Sequence, residues 1–175
     1  VEGQLKLDNQ GRISVLPVLE VENVDFTVGN LDFVGNIVVK GDVCDGFTVK
    51  AAGNIEVRGS VGAATIIAGG GLKVARGIVG KEKCFIKAND DVYANFIENA
   101  NIQTAGSVYA GEAIMHSTIS AEKSVVAGGR RGLIVGGLIR SGEEVTAKVI
   151  GSEMATRTEI EVGVNPQLKE EFIRL

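Results

Sequence analysis

The sequence predicts an all-β fold of one particular kind, a single-stranded parallel β-helix (β-solenoid) of about seven coils. Three observations predict it. The first is a nine-residue phrase that keeps returning: VKAAGNIEV from Val49, IIAGGGLKV from Ile66, IKANDDVYA from Ile86, IQTAGSVYA from Ile102 and ISAEKSVVA from Ile119. The second is its internal spacing. Aligned on the first apolar residue, the copies start at Leu31, Val49, Ile66, Ile86, Ile102, Ile119 and Ile139, between 16 and 20 residues apart. A second apolar residue follows six positions later every time, at Ile37, Ile55, Leu72, Val92, Val108, Val125 and Val145. The third is composition, with 24 glycines against 2 prolines and no tryptophan in 175 residues, and 45% hydrophobic residues that are mostly Val, Ile and Ala. A chain of this kind turns often, lacks the Pro/Gly mixture of a disordered segment, and favours strands.

Taken in order, residues 1–30 carry apolar segments around Leu5 and Ile13–Val15 on either side of Asp8-Asn9-Gln10-Gly11. That turn signal reads as a hairpin, and a hairpin there would form an N-terminal β cap on the first coil. Residues 31–164 read as the solenoid. Two positions after each start stands Phe33, Ala51, Ala68, Ala88, Thr104, Ala121 or Ser141, and eight after it Val39, Val57, Val74, Ala94, Ala110, Ala127 or Ala147. Apolar or small residues at 0, 2, 6 and 8 describe two short strands with alternate side chains inward, joined by a corner of about three residues. The corners hold Gly35-Asn36, Gly53-Asn54, Gly70-Gly71 and Gly106-Ser107, read here as residues that tolerate positive φ in a tight bend. A third apolar beat at Val43, Val61, Ile78, Ile97 and Ile114 supplies a third strand. One such triangle cannot bury its own inner face. Stacked triangles can, because each strand pairs in parallel with its equivalent about 4.8 Å along the axis.

Near the C-terminus Ile160 and Val162 open one more coil, but Pro166 stands where its second strand would begin. Asn165-Pro166 reads instead as an N-cap with proline at the first helical position, and Leu168, Phe172 and Leu175 as an apolar face, so 165–175 is taken as the start of a helix. Handedness has two signals. Leu31, Ile37, Val43, Val49, Ile55, Val61 and Ile67 follow the six-residue register of a left-handed β-helix, which then fails at Lys73. The later coils vary in length, which right-handed solenoids accommodate in their corners, and right-handed is the expectation.

The 18 basic and 22 acidic residues are scattered in both signs for a net charge of −4, without the footprint of a nucleic-acid or anionic-membrane binder. No apolar run reaches the length of a membrane span. The chain opens on Val1, which reads as an excised fragment, and shows no signal segment there. Cys44 and Cys84 sit in no metal-ligand spacing, and two free thiols are the usual cytosolic state.

The stretches VVKGDVCDGFTVKAAGNIEVRGSVGAATI (38–66), GIVGKEK (77–83), FIENANI (96–102), AIMHSTISA (113–121), RGLIVGGLIRSGEEVTAKVIGS (131–152) and TEIEVGVNP (158–166) resemble, in order, the β-solenoid domain of the flagellar assembly protein A family. The resemblance implies a cytoplasmic bacterial protein connected with flagellum assembly or placement, with an N-terminal domain and a C-terminal helical region outside this chain. It transfers no catalytic residues. The chain departs from the family pattern at Asn89-Asp90-Asp91 and Glu122-Lys123-Ser124, where a glycine-containing corner is usual.

Four groups of residues bear on chemistry. His116, the only histidine, could serve as the general base of a left-handed acyltransferase, but no coil carries the long excursion of an acyl-CoA site and no carboxylate partner is identifiable. It reads as a residue holding a bend through a ring hydrogen bond. Asp90-Asp91 and Glu143-Glu144 share a repeat offset, but three coil steps put them roughly 14 Å apart at about 4.8 Å per step, too far for one calcium ion. GIVGKEK, with Lys81 and Lys83, and AGGRRGLIVGG, with Arg130 and Arg131, are glycine-rich but lead into no helix, so they read as enlarged corners rather than phosphate loops.

The outward positions are the better candidates for binding. Seven positions after each start come Val38, Glu56, Lys73, Tyr93, Tyr109, Val126 and Thr146, and one position after come Asp32, Lys50, Ile67, Lys87, Gln103, Ser120 and Arg140. Lys73, Tyr93 and Tyr109 form the candidate protein-interaction surface, because stacked tyrosines make an amphipathic patch; the same stack would also stabilise the sheet by itself. The expected function is a non-enzymatic scaffold with protein partners, no cofactor, no metal and no nucleic acid. The alternatives are the acyltransferase using His116 and a self-polymerising, bactofilin-like solenoid.

Overall fold

The computed structural model describes residues 3–7, 13–163, 165, 168, 171 and 173. Its strands join into one continuous sheet that winds about an axis and exposes three faces. Along face 1, Leu31, Val49, Ile66, Ile86, Ile102, Ile119, Ile139 and Ile160 are successive parallel partners. Along face 2 the file is Leu19, Ile37, Ile55, Leu72, Val92, Val108, Val125 and Val145. Along face 3 it is Val24, Val43, Val61, Ile78, Ile97, Ile114, Ile134 and Ile150. The copies that the spacing aligned are therefore the copies that pair.

These three files are the core. Val49, Ile66, Ile86, Ile102, Ile119 and Ile139 are all fully buried, as are Ile78, Ile97, Ile114 and Ile134 on face 3. Each such side chain stabilises the fold by about 1.5–3 kcal/mol relative to exposure. Because each packs on the equivalent residue above and below, the stabilisation runs along the axis.

Each file holds eight members, giving about eight coils where the sequence suggested about seven. The added coil starts inside the N-terminal segment. Strand β1 (Gly3–Leu7) pairs antiparallel with the first part of β2 (Ile13–Val21), from Gly3↔Pro17 to Leu7↔Ile13. The second part of β2, Val18–Val21, pairs in parallel with Asn36–Val39, and Val24 then heads the face 3 file. The turn read at Asp8–Gly11 lies outside the described residues. At the other end Leu168, Glu171 and Ile173 are helical, while Pro166, Phe172 and Leu175 lie outside the described residues.

The corner glycines correct the sequence reading. Gly35, Gly53, Gly70, Gly71 and Gly106 all lack the positive φ expected of them. Their reason is space. A Cβ on Gly53 would lie 2.1 Å from Asn36 Oδ1, on Gly70 2.1 Å from Asn54 Oδ1, and on Gly106 2.5 Å from Asp91 Oδ1. In each case that oxygen accepts the next residue's backbone N–H: Asn54 N to Asn36 at 2.7 Å, Gly71 N to Asn54 at 2.8 Å, Ser107 N to Asp91 at 2.7 Å. The other two corners repeat the arrangement, with Asn23 under Gly41-Asp42, Asp42 under Gly59-Ser60 and Asp45 under Gly62-Ala63. At these six positions the Asn or Asp oxygen of one coil is matched by a glycine in the next, one position before the amide it binds; Asn30, which accepts the Thr48 N–H at 2.8 Å, is matched in the same way by Phe47 instead. The Asn89–Asp91 corner, atypical by sequence, keeps this bond through Asp91.

Left-handed backbone is confined largely to the third corner, between faces 3 and 1. Lys81, Glu82, Asn99, His116, Gly136 and Gly137 all take positive φ there in successive coils. Of the two glycine-rich stretches, one bends at Lys81-Glu82 by positive φ within the strand Gly77–Ala88, and the other, Gly128–Gly132, lies between the strands Ser124–Ala127 and Leu133–Ser141.

Two inward polar residues have identifiable partners. Thr104 donates its hydroxyl to the Asp90 carbonyl and accepts Gly106 N–H at 3.0 Å. Ser141, fully buried, lies 2.7 Å from the Glu144 carbonyl and 2.5 Å from that of Lys123. Thr104 thereby gives the Asp90 carbonyl a donor, and the Ser141 hydroxyl sits between two corner carbonyls, of which that of Lys123 also accepts the Glu143 N–H.

Candidate interaction surface

Face 2 carries an outward ladder, Glu20, Val38, Glu56, Lys73, Tyr93, Tyr109, Val126 and Thr146, each residue one coil from the next. Its N-terminal rungs are neutralised locally: Lys40 sits 3.5 Å from Glu20 and 3.2 Å from Glu22, and Arg58 lies 3.2 Å from Glu56. Lys73 is exposed and forms no ion pair among the described residues. Beyond it the ladder changes character.

Tyr93 and Tyr109 stack with ring centroids 4.8 Å apart and planes 10° from parallel. Tyr93 remains 45% exposed, so the stack stands out as a ridge and is not part of the core. Its hydroxyl donates to Asp91 Oδ2 at 3.3 Å. Burial, then the nearby Asp91 charge and Tyr109, hold the Tyr93 phenol above its ordinary pKa. The structure therefore brings together all three residues that the sequence singled out, with Lys73 directly in register with Tyr93.

Two grooves flank the ridge, and sequence reading did not find them. On the first-corner side a groove of about 370 Å³ runs from Val38 to Tyr93 along Asn36, Asn54, Gly71, Asp90 and Asp91. Gly71, which lines it, is the rung of the corner ladder that has no side chain. On the second-corner side a groove of about 440 Å³ is lined by the outward rungs Lys73, Tyr93, Tyr109 and Val126 and, at the corner, by Ala75, Asn95, Gly111, Gly128 and Gly129; Val74, Ala94 and Ala110, which also border it, are buried with their side chains in the core. The signal for it is the small residues two or three positions beyond the rungs Lys73, Tyr109 and Val126, namely Ala75, Gly111, Gly128 and Gly129. They border a groove only when the coils are stacked.

The other candidates are dispersed. His116 is exposed in its left-handed bend, φ 46°, and its ring lies over Gly136. The ring makes no hydrogen bond among the described residues, so the backbone makes the bend without the ring bond expected of it. Asp91 and Glu144 occupy one corner column with Ser107 and Ser124 between them, and Ser124 N–H donates to Ser107 Oγ at 3.4 Å. Among the described residues no group of three His, Cys, Asp or Glu side chains is placed to hold a metal ion. Lys81 reaches across two coils to Asp45 at 2.5 Å, and that hydrogen bond lowers the Asp45 pKa. Arg130 and Arg131 are exposed and pair with no carboxylate among the described residues. No helix among the described residues is long and apolar enough to cross a membrane.

A family model described as the Flagellar Assembly Protein A beta solenoid domain matches residues 17–175. No match was found among curated proteins or among solved structures.

Proposed function

Because the chain belongs to the family of the Flagellar Assembly Protein A beta solenoid domain, we propose that it is a non-enzymatic scaffold of a bacterial cytoplasmic protein linked to flagellar assembly or placement, and that it docks protein partners on face 2. The observation that carries this reading is the exposed Tyr93–Tyr109 stack, set between two grooves on a rod whose interior is rigidly packed. Aromatic residues raised beside shallow grooves are what protein interfaces use as anchors. A scaffold reading also fits the placement of the reactive groups. Among the described residues the His116 ring makes no hydrogen bond to an acid or a hydroxyl that would form a relay, and Asp91 and Glu144 are spread along an edge.

The test is recovery of partners from a bacterial lysate by the intact domain and by a Tyr93→Ser/Tyr109→Ser variant, followed by direct binding of whichever purified partner distinguishes them. A partner held by the intact face and released by the double variant supports the docking site. Equal recovery removes it. His116→Ala should leave binding unchanged; loss of function in that variant with the fold intact would favour the acyltransferase alternative.

A further inference from the structure

We infer that the groove on the second-corner side of the tyrosine ridge takes an extended acidic segment of a protein partner, with apolar side chains between two carboxylates. The inference rests on the docking reading above and specifies its chemistry. Three facts support it. The groove's accessible apolar lining is the Tyr93 and Tyr109 rings and Val126, and its only charged lining residue is Lys73, at one end. The other end is made by Gly128 and Gly129, which run directly into Arg130 and Arg131. Neither arginine, nor Lys73, has an ion-pair partner among the described residues.

In a chain of net charge −4, this edge concentrates unpaired cations. Glu112 approaches Gly129 at the same corner, leaving three cations against one acid. Asp91 lies on the far side of the ridge, where it accepts the Tyr93 hydroxyl. Charge complementarity thus selects an anionic segment, and the tyrosine rings and Val126 ask that it be more than a polyanion.

Length can be estimated too. From Lys73 through Tyr93 and Tyr109 to Val126 is three coil steps, roughly 14 Å at about 4.8 Å each, which an extended peptide covers in about four residues. The expected motif is therefore two acidic residues about four apart, separated by aliphatic, aromatic or proline residues that lie against Val126 and the tyrosine edges.

The experiment pans a phage-displayed random dodecapeptide library on the domain, then measures a labelled copy of the enriched peptide by fluorescence anisotropy. Enrichment of the acidic–apolar motif is the expected result. Lys73→Ala and Arg130→Ala/Arg131→Ala should each weaken the peptide about three- to five-fold, the range of an exposed ion pair, with thermal unfolding unchanged. Enrichment of basic peptides, or no enrichment over the starting library, overturns the inference, as does heparin competing as well as the peptide. Loss of binding on Tyr93→Ser/Tyr109→Ser with no effect of the cation variants overturns the acidic partner but keeps the ridge. Loss with the cation variants alone overturns the ridge.

Discussion

Tyr93 and Tyr109 sit 4.8 Å apart, ring over ring, because they are register partners on adjacent coils of one parallel sheet. The spacing of strands in such a sheet is itself about 4.8 Å, so two aromatic residues at the same repeat offset have little choice but to stack. The ridge is thus a direct print of backbone register onto the surface. It also fixes both grooves, since each is the space left beside the rings by smaller corner residues.

The first prediction concerns the Tyr93 phenol. The chain has 2 tyrosines, so Tyr109→Phe leaves Tyr93 as the sole titrating phenol while keeping a stacked ring. Its ultraviolet titration should have a midpoint above the ordinary value of about 10, because burial and then Asp91 disfavour the phenolate. The folded state holds the proton more tightly, so the linked stability is present below the ordinary phenol pKa and is lost as pH rises through the shifted one. Asp91→Asn should bring the midpoint part of the way back. A midpoint at or below the ordinary value would mean the ring is not held as described.

A double-mutant cycle tests the corner rule. Gly70→Ala places a methyl 2.1 Å from Asn54 Oδ1 and should destabilise the domain by about 1–3 kcal/mol. Asn54→Ala removes the acceptor of the Gly71 N–H and should cost about 1 kcal/mol. Together the two should cost less than their sum by about 0.5–3 kcal/mol, since the methyl then fills the space the amide vacates. Chemical denaturation of the four proteins measures it; strict additivity would show that the glycine is there for another reason.

That pair also shows where the sequence was legible and where it was not. Inward files such as Val49–Ile66–Ile86 could be read residue by residue, because a period of two and a fixed six-residue interval leave the same apolar mark in every coil. The first coil was missed because Leu19 and Val24 precede the first clean phrase and are five residues apart where Ile37 and Val43 are six. The glycine at position 70 was assigned the wrong cause, since its constraint comes from Asn54 in the coil before, and local turn chemistry carries no trace of it. Lys73, Tyr93 and Tyr109 were visible as a ladder. The groove beside them was not, because Ala94, Gly111 and Gly128 are unremarkable until stacking aligns them.

The two thiols should separate cleanly by reactivity. Cys84 is buried, and burial pushes its pKa up to about 11, whereas Cys44 is exposed. A thiol-specific reagent at neutral pH should label one cysteine in the native domain at once and the second only on unfolding, since the thiolate is the reactive form. Cys44→Ser should abolish the fast phase and leave labelling of Cys84 as a readout of coil opening. Comparable native rates for both would place the face 3 to face 1 corner in a more open arrangement.

The last prediction concerns His116, whose place in the structure is a backbone one. With φ at 46° it occupies a region that Asn and Gly enter easily and β-branched residues enter at a cost. Asn99, in the preceding coil, and Gly136, in the following one, turn the same corner with positive φ. His116→Asn should therefore change stability by less than about 0.5 kcal/mol, and His116→Val should lose about 1–2 kcal/mol from strain at the bend. A residue kept for its imidazole would give a different ranking, with Asn and Val equally harmful to function and neither to folding. Thermal or chemical unfolding of the two variants, read beside partner binding, decides between them: a stable His116→Val domain would remove the bend as the reason for this residue.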